Sequence, residues 1–160
     1  MGTHEVTAPE LEALAASWSQ DTPVPRPRET ERLTLVLESL RALSLVRRQV
    51  RAFLTASLDP TASGAEDVVE RAILVIDELT SNALRHGSPP SRLSICDETH
   101  RWLVIVSDSA TDRPPTPAVD RPAGAGGYGL YVISDLSTAH GVHYAVDHKL
   151  VWAALTKNPN

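Results

Sequence analysis

One helical stretch of the sequence carries an acid and an amide that could do chemistry together. Glu78 and Asn82 stand four residues apart, and a helix brings such positions to one face. An asparagine oxygen suits Mg²⁺, which takes few protein ligands and completes its shell with phosphates and water. A glutamate one turn away can accept a proton from an attacking hydroxyl or water. The pair predicts metal-assisted transfer, although an exposed glutamate beside a helix-end asparagine would show the same spacing.

A glycine-rich run, residues 124–130 (GAGGYGL), comes directly before a predicted helix. Glycines let the backbone approach a phosphate and aim successive N–H groups at it, and the helix N-terminus adds favourable partial charge. The alternative is a flexible hinge that contacts no ligand. The run also matches the G-x-G-x-x-G dinucleotide fingerprint, which must directly follow a buried strand. Here a proline-rich loop precedes it, so we reject the dinucleotide interpretation.

The helix that carries Glu78 is predicted over Ala65–His86, and Gly87 stops it. Leu74 and Val75 lie nearly opposite its main apolar stripe, so the helix is expected to be covered on two sides. The stripe that should pack on a sheet is Val69, Ile73, Ile76, Thr80 and Ala83. The other predicted elements are a helix over 38–56, a short helix over Gly129–Leu136, and strands over 32–37, 91–96, 102–107, 142–147 and 150–155.

Two segments of the chain are marked by several prolines and lie outside the main predicted helices and strands. Residues 1–29 form a predicted N-terminal extension, with a short helix over 9–19 and a linker marked by Pro23, Pro25 and Pro27. We expect this extension to be mobile or loosely docked. Residues 109–125 contain four prolines, and long loops of this kind in compact domains are typical of functional lids.

Composition limits the classes of function. The 160 residues fit one domain, and a net charge of −5 argues against binding to nucleic acid or anionic membranes. The single cysteine, Cys96, excludes an internal disulfide and a cysteine zinc cluster. The first 18 residues lack the basic start of a secretory signal, and no apolar stretch approaches the roughly 20 residues that span a bilayer. We therefore expect a soluble, cytoplasmic protein.

With these residues in place, the sequence resembles the GHKL ATPase superfamily, and within it the RsbW-like branch of anti-sigma-factor serine/threonine kinases. Residues 76–87 (IDELTSNALRHG) are similar to the N-box of that branch. Residues 104–108 (VIVSD) resemble the strand that ends in the adenine-binding aspartate, and residues 126–130 (GGYGL) resemble the second glycine box. The order and spacing of these boxes are fairly specific.

The resemblance implies a Bergerat fold over residues 30–157, an α/β two-layer sandwich with a mixed sheet and helices packed on one face. It implies that Glu78 is the general base, that Asn82 binds Mg²⁺, and that Asp108 accepts a hydrogen bond from adenine. The remaining ATP-binding residues that it implies are Arg85, His86, Gly124, Gly126, Gly127, Tyr128, Gly129 and Leu130. Taken alone, His86 is better explained as a helix-end residue, because its positive form suits a helix C-terminus.

The resemblance also implies partners: an anti-anti-sigma (STAS) protein that is phosphorylated and a sigma factor that is sequestered. It allows a homodimer as well. Two departures favour the alternative of a non-catalytic switch, which binds ATP or no nucleotide and only shapes a partner-binding surface. Ala110 stands within the first glycine box, and Leu150 stands where many relatives carry an adenine-binding threonine. Intact Glu78 and Asn82 favour the kinase.

Overall fold

The sheet is the platform that positions the helices. The structure is a computed structural model, and it describes residues 7–28, 31–112 and 129–159. Five strands form one open sheet in the order β1-β2-β3-β5-β4, and each neighbouring pair is antiparallel. The strands are β1 (Glu31–Leu37), β2 (Ser91–Asp97), β3 (Arg101–Asp108), β4 (Ala139–Tyr144) and β5 (Lys149–Thr156).

Helices pack on one face of this sheet, and one of the four, α1, comes before the first strand in the chain. The helices are α1 (Ala8–Ser19), α2 (Leu43–Ala56), α3 (Ala65–His86) and α4 (Gly129–Leu136). Helix α3 has the predicted bounds, and the five residues of its predicted stripe are all buried. Helix α2 starts later than predicted, because Leu40–Ala42 forms a 3₁₀ turn before it. The predicted two-layer α/β class is confirmed.

The prediction that α3 is covered on two sides is wrong at one position. Val75 is fully buried, but Leu74 is 53% exposed. Helix α2 meets α3 through ion pairs at the surface, Arg47 with Asp77 and Arg51 with Glu70. Leu74 lies between Glu70 and Asp77 at helical spacing, so it shares the exposed face of α3 on which these ion pairs form.

The N-terminal extension is docked in the part that the structure describes, contrary to the expectation of a loose tail. Helix α1 starts at a capping box, in which Thr7 and Glu10 bond each other's backbone N–H groups. The helix inserts Trp18, which is fully buried in the main core. Its indole stacks on His140 of β4, with ring centroids 4.7 Å apart. Burial of a tryptophan gives α1 a firm anchor.

The proline-rich segment that follows α1, residues 20–28, crosses the outer face of the sheet and is called the strap below. Thr22 donates from its N–H to the Val142 carbonyl (2.7 Å) and accepts from Trp152 Nε1 (3.2 Å). At the other end, the Arg28 N–H donates to Glu98 at 2.5 Å. Between these anchors Val24 packs on an outer apolar cluster formed by Cys96, Leu103, Trp152 and Ala154.

Two further details differ from expectation. Strand β4 lies three residues earlier than predicted, because residues 145–148 form the turn, closed by an Ala145 N–H bond to His148 O (2.8 Å). The sheet was predicted to be mixed, but its four described ladders are antiparallel; an isolated bridge between Asp21 and Val142 is parallel.

None of the described helices is both long and apolar enough to cross a bilayer. The predicted domain bounds stay a prediction.

Candidate functional site

Helix α3 places Glu78 beside the start of α4, and Asn82 follows about one turn later on the same helix. Both side chains are partly buried, and the stripe on α3 that packs on the sheet fixes which way they face. Gly129 opens α4, and a Cβ added to it would collide with Oε2 of Glu78. An alanine here would force the carboxylate to move, because the backbone of Gly129 lies directly against it. This contact brings together two features that are 51 positions apart in the sequence.

Neither Glu78 nor Asn82 has a side-chain hydrogen bond with the residues that the structure describes. Burial raises the pKa of Glu78 above its usual value of 4.5, while the Arg85 guanidinium opposes this and the Asp77 carboxylate adds to it. A raised pKa brings a carboxylate closer to the range in which a general base works best. The neighbouring Asp77 differs, since it faces α2 and binds Arg47 Nε at 3.1 Å. The two acids therefore have separate environments.

Asp108 closes the site at the end of β3, where it is 2% exposed. Its Oδ1 accepts the N–H of Ala110 at 2.7 Å, and its Oδ2 lies 3.5 Å from the Lys149 ammonium. Gly87 at the end of α3 packs against this carboxylate, because a Cβ there would lie 2.6 Å from Asp108 Cγ. The end of α3 and the end of β3 thus form one corner of the site.

The residue beside Asp108 on the last strand is Lys149, which corrects the expectation for Leu150. In the β3–β5 ladder Asp108 pairs with Lys149, and Leu150 pairs with Ser107. Because side chains alternate across a strand, Leu150 faces the outer side of the sheet, away from the helices. Tyr144 of β4 pairs with Lys149 and continues the row; burial raises its pKa, and the Asp21 and Asp108 carboxylates raise it further.

The other predicted site residues divide into three groups. Leu130 is buried in the core beneath the start of α4. Arg85 and His86 are exposed in the last turn of α3, where positive charge is favourable. Gly124, Gly126, Gly127 and Tyr128, with most of the predicted lid, lie outside the described residues. The sequence prediction missed Lys149, because no spacing rule shows which residue of β5 pairs with Asp108.

The donor set fits a magnesium–nucleotide group in three respects. Asn82 offers a neutral oxygen without a competing partner among the described residues, and Glu78 offers a carboxylate one turn away. Gly129 has no side chain that would fill the space beside them. Within the described residues there is no cluster of three His, Cys, Asp or Glu side chains that could hold a metal alone. A metal at Asn82 would thus need oxygens from the nucleotide and water, as Mg²⁺ commonly does.

The structure has an antiparallel sheet with helices on one face. Its central helix carries an acid and an amide, and the acid lies against the glycine that opens α4. These features are those of an ATPase-type α/β sandwich. The chain belongs to the family described as the histidine kinase-like ATPase domain, whose family model matches residues 38–155. The predicted superfamily is thereby confirmed.

Two solved structures are similar to this chain. One contains the RsbU and RsbW domains of Rv1364c from Mycobacterium tuberculosis: 16% identity, a TM-score of 0.54, and coverage of 79% of this chain and 32% of that one. This chain therefore spans about a third of that protein, and the likeness shows the fold alone. The other is the histidine kinase AdeS of Acinetobacter baumannii, with 14% identity and coverage of 79% of this chain and 68% of that one. Its TM-score of 0.42 is too low to support a conclusion about this chain. No curated protein sequence matches the chain.

Proposed function

We propose that this protein is an ATP-binding anti-sigma regulator with serine/threonine kinase activity toward an anti-anti-sigma protein of the STAS class. The observation that carries the proposal is the partly buried pair Glu78 and Asn82, whose side chains have no hydrogen bond among the described residues, with Glu78 set against Gly129. Membership of the histidine kinase-like ATPase family supports ATP as the ligand. The RsbW domain named in one similar structure is consistent with the anti-sigma role.

Each residue of the site has a distinct task in this proposal. ATP with Mg²⁺ would supply the transferable phosphoryl group when bound. Glu78 would take the proton of the attacking serine or threonine hydroxyl, and Asn82 would hold the metal through its amide oxygen. The backbone at Gly129, with the N-terminus of α4 behind it, would favour phosphate oxygens. Phosphoryl transfer depends mainly on such positioning and charge neutralisation.

A second candidate is a non-catalytic switch that binds a partner without transferring phosphate. The observation that favours it is the buried contact between Asp108 and Lys149, at 3.5 Å. The carboxylate expected to receive adenine already has two protein partners, Lys149 and the Ala110 N–H. A base would have to compete with them, which would weaken nucleotide binding.

One experiment separates the two candidates. The wild type, Glu78→Ala and the control Asp77→Asn are each titrated with ATP and Mg²⁺ by calorimetry, then incubated with labelled ATP and a panel of STAS proteins. The kinase predicts saturable binding by all three and transfer by the wild type and the control only. Binding without transfer by any of them would support the switch.

Absence of any saturable binding at millimolar ATP would reject the ATP-dependent function and leave only partner docking. Asp77→Asn is a matched control because it removes a neighbouring carboxylate that faces α2 instead of the site. Circular dichroism of each variant verifies that the fold is retained.

A further inference from the structure

A lysine and an aspartate form a charge pair inside the protein at the end of the sheet. The side chains of Lys149 and Asp108 are 6% and 2% exposed, and their Nζ and Oδ2 atoms are 3.5 Å apart. They are direct neighbours in the β3–β5 ladder, so both side chains leave the sheet on the side that carries the helices. The fold thus fixes the lysine beside the carboxylate.

The pair has consequences for what the carboxylate can bind. A buried ion is stabilised only by its partner and its hydrogen bonds, so Lys149 and Asp108 each depend on the other. Asp108 uses Oδ1 for the Ala110 N–H and Oδ2 for the ammonium. Any further donor that approaches Oδ2 must share it with a positive charge that repels the donor's own positive end.

Purine nucleotides differ in the group at position 6 of the base. Adenine carries an amino group there, which donates to a carboxylate, whereas hypoxanthine and guanine carry a carbonyl, which accepts from an ammonium. A site whose only polar group facing position 6 is an acceptor disfavours the carbonyl, because the two acceptors oppose each other and are left unpaired. A carboxylate with an ammonium beside it offers both an acceptor and a donor.

We propose that Lys149 determines the base selectivity of the nucleotide site, an inference that rests on the proposed nucleotide-binding function. By occupying Asp108, Lys149 removes the preference for an amino group at position 6. The site therefore accepts a 6-oxopurine nucleotide about as readily as ATP. Lys149 acts on the base through Asp108 and through its own N–H groups, and it has no part in phosphoryl transfer at Glu78.

ATP and inosine triphosphate provide a matched pair of probes, since they differ at position 6 and in the attendant proton on the ring. Each is titrated with Mg²⁺ into the full chain of the wild type, Lys149→Met and the charge-balanced double variant Asp108→Asn/Lys149→Met. We expect the two wild-type dissociation constants to agree within about fivefold. Lys149→Met should prefer ATP by more than about tenfold, because a free carboxylate then faces the base. The double variant should lose the preference for ATP, since the Ala110 N–H holds the asparagine oxygen and leaves the NH2 group, a donor that suits the 6-carbonyl, at the position of Oδ2.

A wild-type preference for ATP above about fivefold, or an unchanged ratio in folded Lys149→Met, would overturn the inference. Removing one partner of a buried pair can unfold a protein, so circular dichroism of Lys149→Met comes first; if that variant does not fold, the wild-type ratio decides alone. Failure of the proposed function looks different, because a wild type that binds neither nucleotide rejects the site itself. Nucleotide binding without phosphoryl transfer rejects only the kinase and leaves the selectivity measurable.

Discussion

Polar side chains are hydrogen-bonded differently in two regions of the protein: the end of the strap at Glu98, and the proposed site at Glu78 and Asn82. Where the strap ends, Glu98 accepts from the Arg28 N–H and from Arg101 Nε, so its carboxylate is well satisfied. At the site, Glu78 and Asn82 are only partly buried and have no side-chain hydrogen-bond partner among the described residues. A partly buried acid and amide on a central helix that no protein group satisfies remain available to a ligand, which indicates a role other than folding.

The pKa values of the two regions show the same contrast. Burial would raise the pKa of Glu98, but hydrogen bonds from Arg28 and Arg101 outweigh it and the pKa is lowered. For Glu78 burial prevails, because the charge of Arg85 only partly opposes it. Glu98 beside the strap therefore stays ionised to lower pH, whereas Glu78 at the site takes up a proton more readily. Four experiments test this contrast between the two regions.

The largest effect is expected at the anchor of α1. Trp18→Ala should lower the free energy of unfolding in urea by about 3–5 kcal/mol, because it removes a fully buried aromatic side chain. Trp18→Phe is the control: it keeps an aromatic ring and removes an indole N–H that has no hydrogen-bond partner among the described residues, so it should cost less than about 1.5 kcal/mol. A cost below about 1 kcal/mol for the alanine variant would show that α1 is not docked in solution.

Replacing a glycine by alanine adds one methyl group, and the chain offers such a glycine in each region: Gly129 at the site and Gly141 beneath the strap. In Gly129→Ala the new Cβ would displace the Glu78 carboxylate, and phosphoryl transfer should fall by about 100-fold. In Gly141→Ala the Cβ would lie 2.7 Å from Thr22 Cβ in the strap, so about 1–3 kcal/mol of stability should be lost with transfer unchanged. Transfer rates and urea midpoints are measured for both. Equal losses of transfer in the two variants would contradict a separation of site and strap.

The pH dependence of transfer tests the environment of Glu78. A general base works in its deprotonated form, so the rate should fall by about tenfold per pH unit below the pKa of Glu78, which lies above 4.5. Arg85 lowers this pKa and Asp77 raises it. Arg85→Gln should therefore move the acid limb of the profile to higher pH, and Asp77→Asn should move it to lower pH. Shifts in the same direction, or none, would assign the acid limb to another group.

The smallest effect is expected at His140 of β4, which stacks on Trp18 beneath α1. Burial lowers its pKa below the usual 6.5, so the folded protein disfavours the protonated ring that stacks on Trp18. The unfolded chain takes up the proton first as pH falls through about 6.5, and stability decreases there by at most about 1.4 kcal/mol per pH unit. His140→Phe keeps an aromatic ring and should remove this part of the dependence. Urea unfolding at about pH 7.5 and about pH 5.5 measures both proteins, and parallel losses would exclude His140 as the cause.

Much of the fold could be predicted because it depends on local periodicity. The bounds of α3 follow from an apolar stripe between Gly64 and Gly87, and they agree with the structure. The same periodicity places Glu78 and Asn82 on one face. The hairpin of β2 and β3 likewise follows from two apolar runs joined by a short polar turn. The course of the strap could not be predicted, since prolines carry no period and Thr22 meets partners some 120 positions away in the chain.

The local sequence is enough to show which helix carries the acid and the amide, because four residues are slightly more than one helical turn whatever surrounds them. The place of Lys149, and not Leu150, beside Asp108 depends on tertiary contacts. Neighbouring residues of a strand face opposite sides of a sheet, so a shift of one position in register exchanges a buried cation for an outward leucine. That register is set by the pairing of β3 with β5, whose partner residues Asp108 and Lys149 are about 40 positions apart in the chain. No local sequence pattern specifies such a pairing.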